Sequence, residues 1–178
     1  IQFGLVAATF AVEDSGWKPE DAKKLMRTGV MIGSGIGGLP EIEKSARVVN
    51  EGNIRKLSPY FIPASLINLV SGQVAIKYGF KGPNHAVVTA CASGAHAIGD
   101  AARLIIFDDA DVMIAGGTES VITPLCIGGF YASKALSTRN DDPQGASRPF
   151  DINRDGFVIG EGCGVVVLED YESAKKRN

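Results

Sequence analysis

Ala90-Cys91-Ala92-Ser93-Gly94 is where the residue types of this chain come closest to covalent chemistry. The run Ala86-Val87-Val88-Thr89-Ala90-Cys91 reads as a strand, and the small residues from Ser93 to Phe107 read as a helix. A strand that turns sharply into a helix presents its turn residue in the manner of a nucleophile elbow. There the helix N-terminus favours a thiolate, and N–H groups of the turn can receive the oxyanion of an attacked thioester carbonyl. Ala92, Ser93, Gly94 and Ala95 leave room beside the sulfur for a substrate. The competing reading is a buried structural cysteine, a common fate for this residue.

The other chemistry-bearing residues read more plainly. Cys126 and Cys163 lack an elbow context and read as packing thiols, and the cysteine spacings do not resemble a zinc site. A cysteine nucleophile usually has a histidine partner, and the chain has 2 histidines. His96 falls on the helix after Cys91, about 140° further round, and is expected to point away from the thiol. His85 precedes the strand and is expected near its far end. Glu119 follows a glycine pair at a strand end; an ion-paired structural carboxylate is favoured there over a general base. Gly33-Ser34-Gly35-Ile36-Gly37-Gly38 fits G-x-G-x-x-G, but no strand-end acid follows at about the 20-residue interval of a dinucleotide site. A glycine turn that admits backbone or an acyl chain is the stronger reading. Arg148–Asp151 and Arg154–Asp155 read as ties across a loop, and Arg55-Lys56 as a solvated patch or a dock for an acidic partner.

The elements that must position these residues alternate. A helix opens the chain and stops at Gly16, and a short helix follows over Pro19–Met26. Strands are expected at Thr28–Gly33 and Asp111–Gly116, and helices at Pro40–Glu51 and Pro63–Tyr78. Gly164–Leu168 reads as a last strand able to pair antiparallel, followed by a helical pattern from Tyr171 to Arg177. Between Thr118 and Gly162 lies a long irregular stretch, where function is expected to concentrate. The pattern is α/β.

The 178 residues carry 45% hydrophobic side chains and a net charge of −2, which excludes a disordered chain and gives no basic footprint for nucleic acid. No apolar stretch reaches the roughly 20 residues of a membrane span. The odd cysteine count argues for a reduced, intracellular compartment. Both ends read as cut from a longer protein: the first residues are already helical, without a cap, and the last helix has no stop signal.

Val88-Thr89-Ala90-Cys91-Ala92-Ser93-Gly94-Ala95-His96, Ala115-Gly116-Gly117-Thr118-Glu119-Ser120 and Gly128-Gly129-Phe130 together resemble the β-ketoacyl-[acyl-carrier-protein] synthases. Leu136-Ser137-Thr138-Arg139-Asn140 and the run from Ser147 through Asp155-Gly156-Phe157 to Gly160-Glu161-Gly162 extend the match in order along the chain, closest to the synthase II branch. The resemblance implies a thiolase-like fold, with residues 1–178 forming most of its N-terminal βαβαβαββ half, without the first strand and the C-terminal half. It implies fatty-acid elongation by decarboxylative Claisen condensation of an acyl thioester with malonyl-carrier protein, through an acyl-Cys91 intermediate. Cys91 falls on the catalytic position and its N–H on one oxyanion donor. Ile36 falls where a partner subunit closes the acyl pocket, Phe130 and Phe157 on pocket-lining aromatics, and Arg55, Lys56 and Lys134 on the basic patch that receives acyl carrier protein. It implies a homodimer, no cofactor or metal, and a bacterial cytoplasm or an organelle stroma or matrix. The family's two catalytic histidines, lysine and second oxyanion amide would lie beyond Asn178, so residues 1–178 alone are expected to accept an acyl group but not to decarboxylate malonyl thioester. Two other readings stand beside it: a thiolase-fold acyltransferase acting on coenzyme A thioesters, and a non-catalytic binding fragment.

Overall fold

The computed structural model describes residues 1–177. Helix α1 (Gln2–Ser15) ends on Gly16, whose φ of 63° is the left-handed conformation that glycine adopts without strain. Helix α2 (Ala22–Met26) is capped by the Asp21 carboxylate, which accepts from Lys24 N, and leads into strand β1 (Thr28–Gly33). After β1 come α3 (Leu39–Asn50), a 3-10 turn at Ile54–Lys56, α4 (Phe61–Ser65) and α5 (Leu69–Tyr78). Strand β2 (Asn84–His85), α6 (Ser93–Ile106), β3 (Val112–Glu119), α7 (Pro124–Ala132), β4 (Gly162–Glu169) and α8 (Tyr171–Arg177) complete the order.

The strands form one sheet in the order β2-β1-β3-β4. β1 pairs parallel with β2 and β3, and β4 pairs antiparallel with β3 from Val112↔Glu169 to Glu119↔Gly162. Strand periodicity divides the core between the two faces. Val30, Ile32, Val112 and Ile114 pack with Ala8, Val12, Val70 and Val74 of α1 and α5. Met31, Met113 and Ala115 point the other way, onto Ala97 and Ala101 of α6. Cover on both sides explains why every β1 residue is buried.

Three expected elements differ. The helix expected over Pro63–Tyr78 is broken, because Leu66 adopts an extended ψ of 130°. The break accommodates the glycine loop after β1: a Cβ on Gly38 would lie 2.4 Å from Ser65 Cα, and one on Gly37 2.5 Å from Ile67 Cγ1. The strand expected over Ala86–Cys91 does not form: β2 covers Asn84–His85 ahead of it, so His85 lies in the strand, and only an isolated bridge, Thr89↔Cys91, falls within the expected span. β1 gives way to the glycine loop at Gly33, and only Ser34 N still donates to Val87 O, at 3.3 Å. Within the stretch expected to be irregular, β3 runs on to Glu119 and α7 forms behind a Thr123 cap that accepts from Cys126 N.

Candidate active site

Cys91 stands between β2 and α6, one residue before the α6 N-cap Ala92, and is exposed. Ala90 before it has φ 52°, a left-handed conformation that costs a non-glycine residue about 1–2 kcal/mol and is characteristic of strained functional turns. The turn is braced from inside. The hydroxyl of Ser93, 3% exposed, donates to Ala90 O at 2.6 Å and accepts from Thr89 N at 2.9 Å. His96 Nδ1 lies 2.7 Å from Thr89 Oγ1, so this histidine serves the turn and not the thiol. His85 is exposed in β2. Among the described residues neither histidine is hydrogen-bonded to Cys91.

The thiol opens on a cavity of about 490 Å³ at the end of the sheet, with Ile36, Phe130 and Phe157 in its wall. The two phenylalanine rings meet edge to face, 5.1 Å between centroids, giving the cavity a firm apolar wall. Phe157 is brought there by backbone bonds, with Ser137 N donating to Phe157 O and Phe157 N to Ala135 O, both at 3.0 Å. Asp155 fixes the same loop: it accepts from Ser137 Oγ at 2.6 Å and Thr138 N at 3.0 Å, and these bonds hold its carboxyl below the usual aspartate range. This replaces the expected Arg154–Asp155 pair; Arg154 donates instead to Asp151 O, while Arg148 does reach Asp151, at 3.4 Å.

Glu119 is structural, as favoured, but its partners are amides where a cation was expected. Its carboxylate accepts from Gly35 N, Ile36 N and Gly37 N at 2.7–3.0 Å and from Ser34 Oγ at 2.7 Å. The G-x-G-x-x-G loop therefore spends its free N–H groups on an internal anion, which leaves a nucleotide pyrophosphate no place there. Sequence reasoning missed this partnership; the loop motif and the strand-end acid were both visible, but their meeting is set by β1 and β3 pairing in register.

Cys126 is 5% exposed, and burial pushes its thiol up. Cys163 lies inside β4 and not ahead of it; it lines the Cys91 cavity half-buried, and burial raises its thiol as well. Arg55 and Lys56 on the 3-10 turn and Lys134 after α7 are exposed. No helix among the described residues is long and apolar enough to cross a membrane.

A family model described as "Beta-ketoacyl synthase, N-terminal domain" matches residues 1–174. The chain is 58% identical over 178 residues to a 3-oxoacyl-[acyl-carrier-protein] synthase, mitochondrial, of Arabidopsis thaliana, covering 99% of this chain and 39% of that protein. It is 56% identical to 3-oxoacyl-[acyl-carrier-protein] synthase 2 of Rhizobium meliloti (strain 1021), covering 99% of this chain and 42% of the relative. It thus spans about two-fifths of the length of these curated relatives. Among solved structures, that of a type II PKS acyl-carrier protein in complex with its ketosynthase bound to the hexaketide matches with a TM-score of 0.92 at 36% identity, covering 99% of this chain and 44% of the matched one. This likeness gives the thiolase-like fold implied by the sequence motifs.

Proposed function

The chain belongs to the β-ketoacyl synthase family, and on that premise we propose that its parent protein elongates fatty acyl chains by decarboxylative Claisen condensation on acyl carrier protein. The observation that carries the reading is the placement of Cys91 on a strained turn at the N-terminus of α6, opening on a cavity walled by Ile36, Phe130 and Phe157. The Cys91 thiolate attacks the carbonyl of an acyl thioester, and the carrier-protein sulfur leaves as a thiolate that takes up the proton Cys91 gave to solvent. Loss of carbon dioxide from malonyl-carrier protein then leaves a carbanion that attacks the acyl-Cys91 carbonyl and expels the Cys91 thiolate. In each tetrahedral intermediate, Cys91 N–H serves as one oxyanion donor, and the apolar wall keeps water from the thioester.

The acyl chain lies along Phe130 and Phe157, and Ile36 is the wall position completed by the partner subunit of a homodimer. Exposed Arg55, Lys56 and Lys134 receive the acidic carrier protein, whose approach they accelerate. The family's two catalytic histidines, its lysine and the second oxyanion amide, which completes the donor pair for the tetrahedral intermediates, lie in sequence beyond residues 1–178. The protein works in a bacterial cytoplasm or an organelle matrix, in keeping with relatives that include bacterial and mitochondrial synthases. The test is a condensation assay of the full-length protein with acyl- and malonyl-carrier protein. The reading expects a 3-oxoacyl-carrier-protein product and carbon dioxide; turnover of coenzyme A thioesters alone, with carrier-protein thioesters inert, would overturn it.

A further inference from the structure

The ladder between β1 and β2 is interrupted at one rung. In a parallel pair, alternate N–H groups of one strand donate to alternate carbonyls of its neighbour. Val30 N donates to Pro83 O at 2.8 Å and Ser34 N to Val87 O at 3.3 Å, so the rung between them would join Ile32 N to His85 O. A side chain stands in its place. The hydroxyl of Ser71 on α5, a residue with 0% exposure, accepts from Ile32 N at 2.9 Å and donates to His85 O at 2.7 Å. Asn84 Nδ2 in turn donates to Ser71 O at 3.1 Å, which seats α5 on the same strand. Ser71 is thus already enclosed by α5, β1 and β2, whatever further chain packs around them. A hydroxyl inserted between two strands holds them apart where a direct bond would draw them together. Strand β2 ends at this rung, and the chain from Ala86 onward leads to the turn at Cys91. The way out is closely walled: a Cβ on Gly33 would lie 2.7 Å from Val87 O and 2.8 Å from Ser93 O.

We infer that Ser71 is a positioning residue for Cys91: its hydroxyl wedges the β1–β2 ladder open between Ile32 and His85, and so directs Ala86–Cys91 away from β1 to the edge of the cavity. This rests on the acyl-transfer reading above. Without the hydroxyl, Ile32 N and His85 O face each other unpaired, at a cost of about 1–3 kcal/mol for each buried group. A direct bond satisfies both. The ladder then closes, β2 runs on past His85, and the thiol moves relative to the wall that receives the acyl chain.

The test uses the full-length protein as wild type, Ser71→Ala and Ser71→Thr, the last of which keeps the hydroxyl. Two rates are read at Cys91: acylation by acyl-carrier protein, which needs the thiol aligned with the cavity, and alkylation by iodoacetamide, which needs only an exposed thiolate. In Ser71→Ala the limiting acylation rate is expected to fall roughly ten- to hundredfold, the scale of a misplacement of about 1 Å, at an unchanged half-saturating concentration of carrier protein. Alkylation is expected to stay near the wild-type rate, and Ser71→Thr to restore acylation. A crystal structure of Ser71→Ala should bring Ile32 N within about 3.2 Å of His85 O. A loss of stability alone would lower the denaturation midpoint and leave the ratio of the two rates in the folded protein as it was. An unchanged ratio in folded Ser71→Ala, a loss that folded Ser71→Thr shares, or a ladder that stays open overturns the inference. If either variant does not fold, Asn84→Ala, at an exposed site, carries the comparison. Loosening α5 from β2 must then lower acylation and spare alkylation, and an unchanged ratio overturns the inference. If the wild type takes no acyl group at Cys91, the acyl-transfer reading fails by itself. The wedge is then judged by the crystal structure of the folded variant, in which the Cys91 turn must have shifted relative to β1.

Discussion

Cys91 is exposed on its turn, whereas Cys126 is 5% exposed and Cys163 is half-buried with its thiol raised by burial. A raised thiol holds less thiolate at any given pH, so a small alkylating agent near neutral pH should modify Cys91 first and leave the other two for more alkaline conditions. Peptide mapping after limited iodoacetamide treatment checks this. The brace behind Cys91 has its own consequence. In Ser93→Ala, Thr89 N and Ala90 O lose a buried partner, a loss worth about 1–3 kcal/mol that should appear as a lower denaturation midpoint together with slower Cys91 alkylation. The turn at Cys91 was legible in the sequence because small residues follow it into a helix, and its exposure answers the competing reading of a buried cysteine. The Ser93 brace and the Glu119 nest were not, because each depends on where a side chain turns after the backbone is built.

At the scale of elements, the β3–β4 pair and the α6–β3 contact rest on glycines for which no other residue has room. A Cβ on Gly116 would lie 2.0 Å from Gly164 O, and one on Gly117 2.8 Å from Gly94 Cα. Gly116→Ala should therefore destabilise the fold by at least about 1–3 kcal/mol, the usual cost of overpacking. Gly99 is the contrast: it lies within α6 with nothing within 4 Å of its would-be Cβ, and Gly99→Ala should stabilise by about 0.5–1 kcal/mol. Urea titration of both variants measures the two signs together. The loop carrying Phe157 gives a pH signature. Asp155 is held below its ordinary value by Ser137 and Thr138, so its contribution is complete above the unfolded value of about 3.9 and is lost as pH falls through the depressed folded value. Limited proteolysis between Ser137 and Phe157 should thus stay flat from neutral pH to about 4 and rise below it in the wild type. In Asp155→Asn it should be raised at neutral pH already. β1, β3 and β4 announced themselves through short apolar runs, because sheet burial imposes that composition locally. The α4–α5 break and the loss of strand over Ala86–Cys91 did not, since both arise where the glycine loop presses on chain distant in sequence.

The molecule as a whole joins a four-stranded sheet, helices on both faces and an exposed Cys91 at the sheet's end, within a chain that covers about two-fifths of its curated relatives. Neither histidine among the described residues is hydrogen-bonded to Cys91, and on the proposed reading the decarboxylation half of the reaction needs residues outside 1–178. Carbon dioxide release from malonyl-carrier protein is accordingly expected from the full-length protein and not from residues 1–178. Acyl transfer to Cys91 is the step on which the whole account depends. The most direct measurement is intact-mass and peptide analysis of the full-length protein after incubation with acyl-carrier protein. The account predicts one acyl group per chain, located on Cys91 and absent from Cys91→Ala; an acyl group on Cys126, Cys163 or a non-cysteine residue, or none at all, would contradict it.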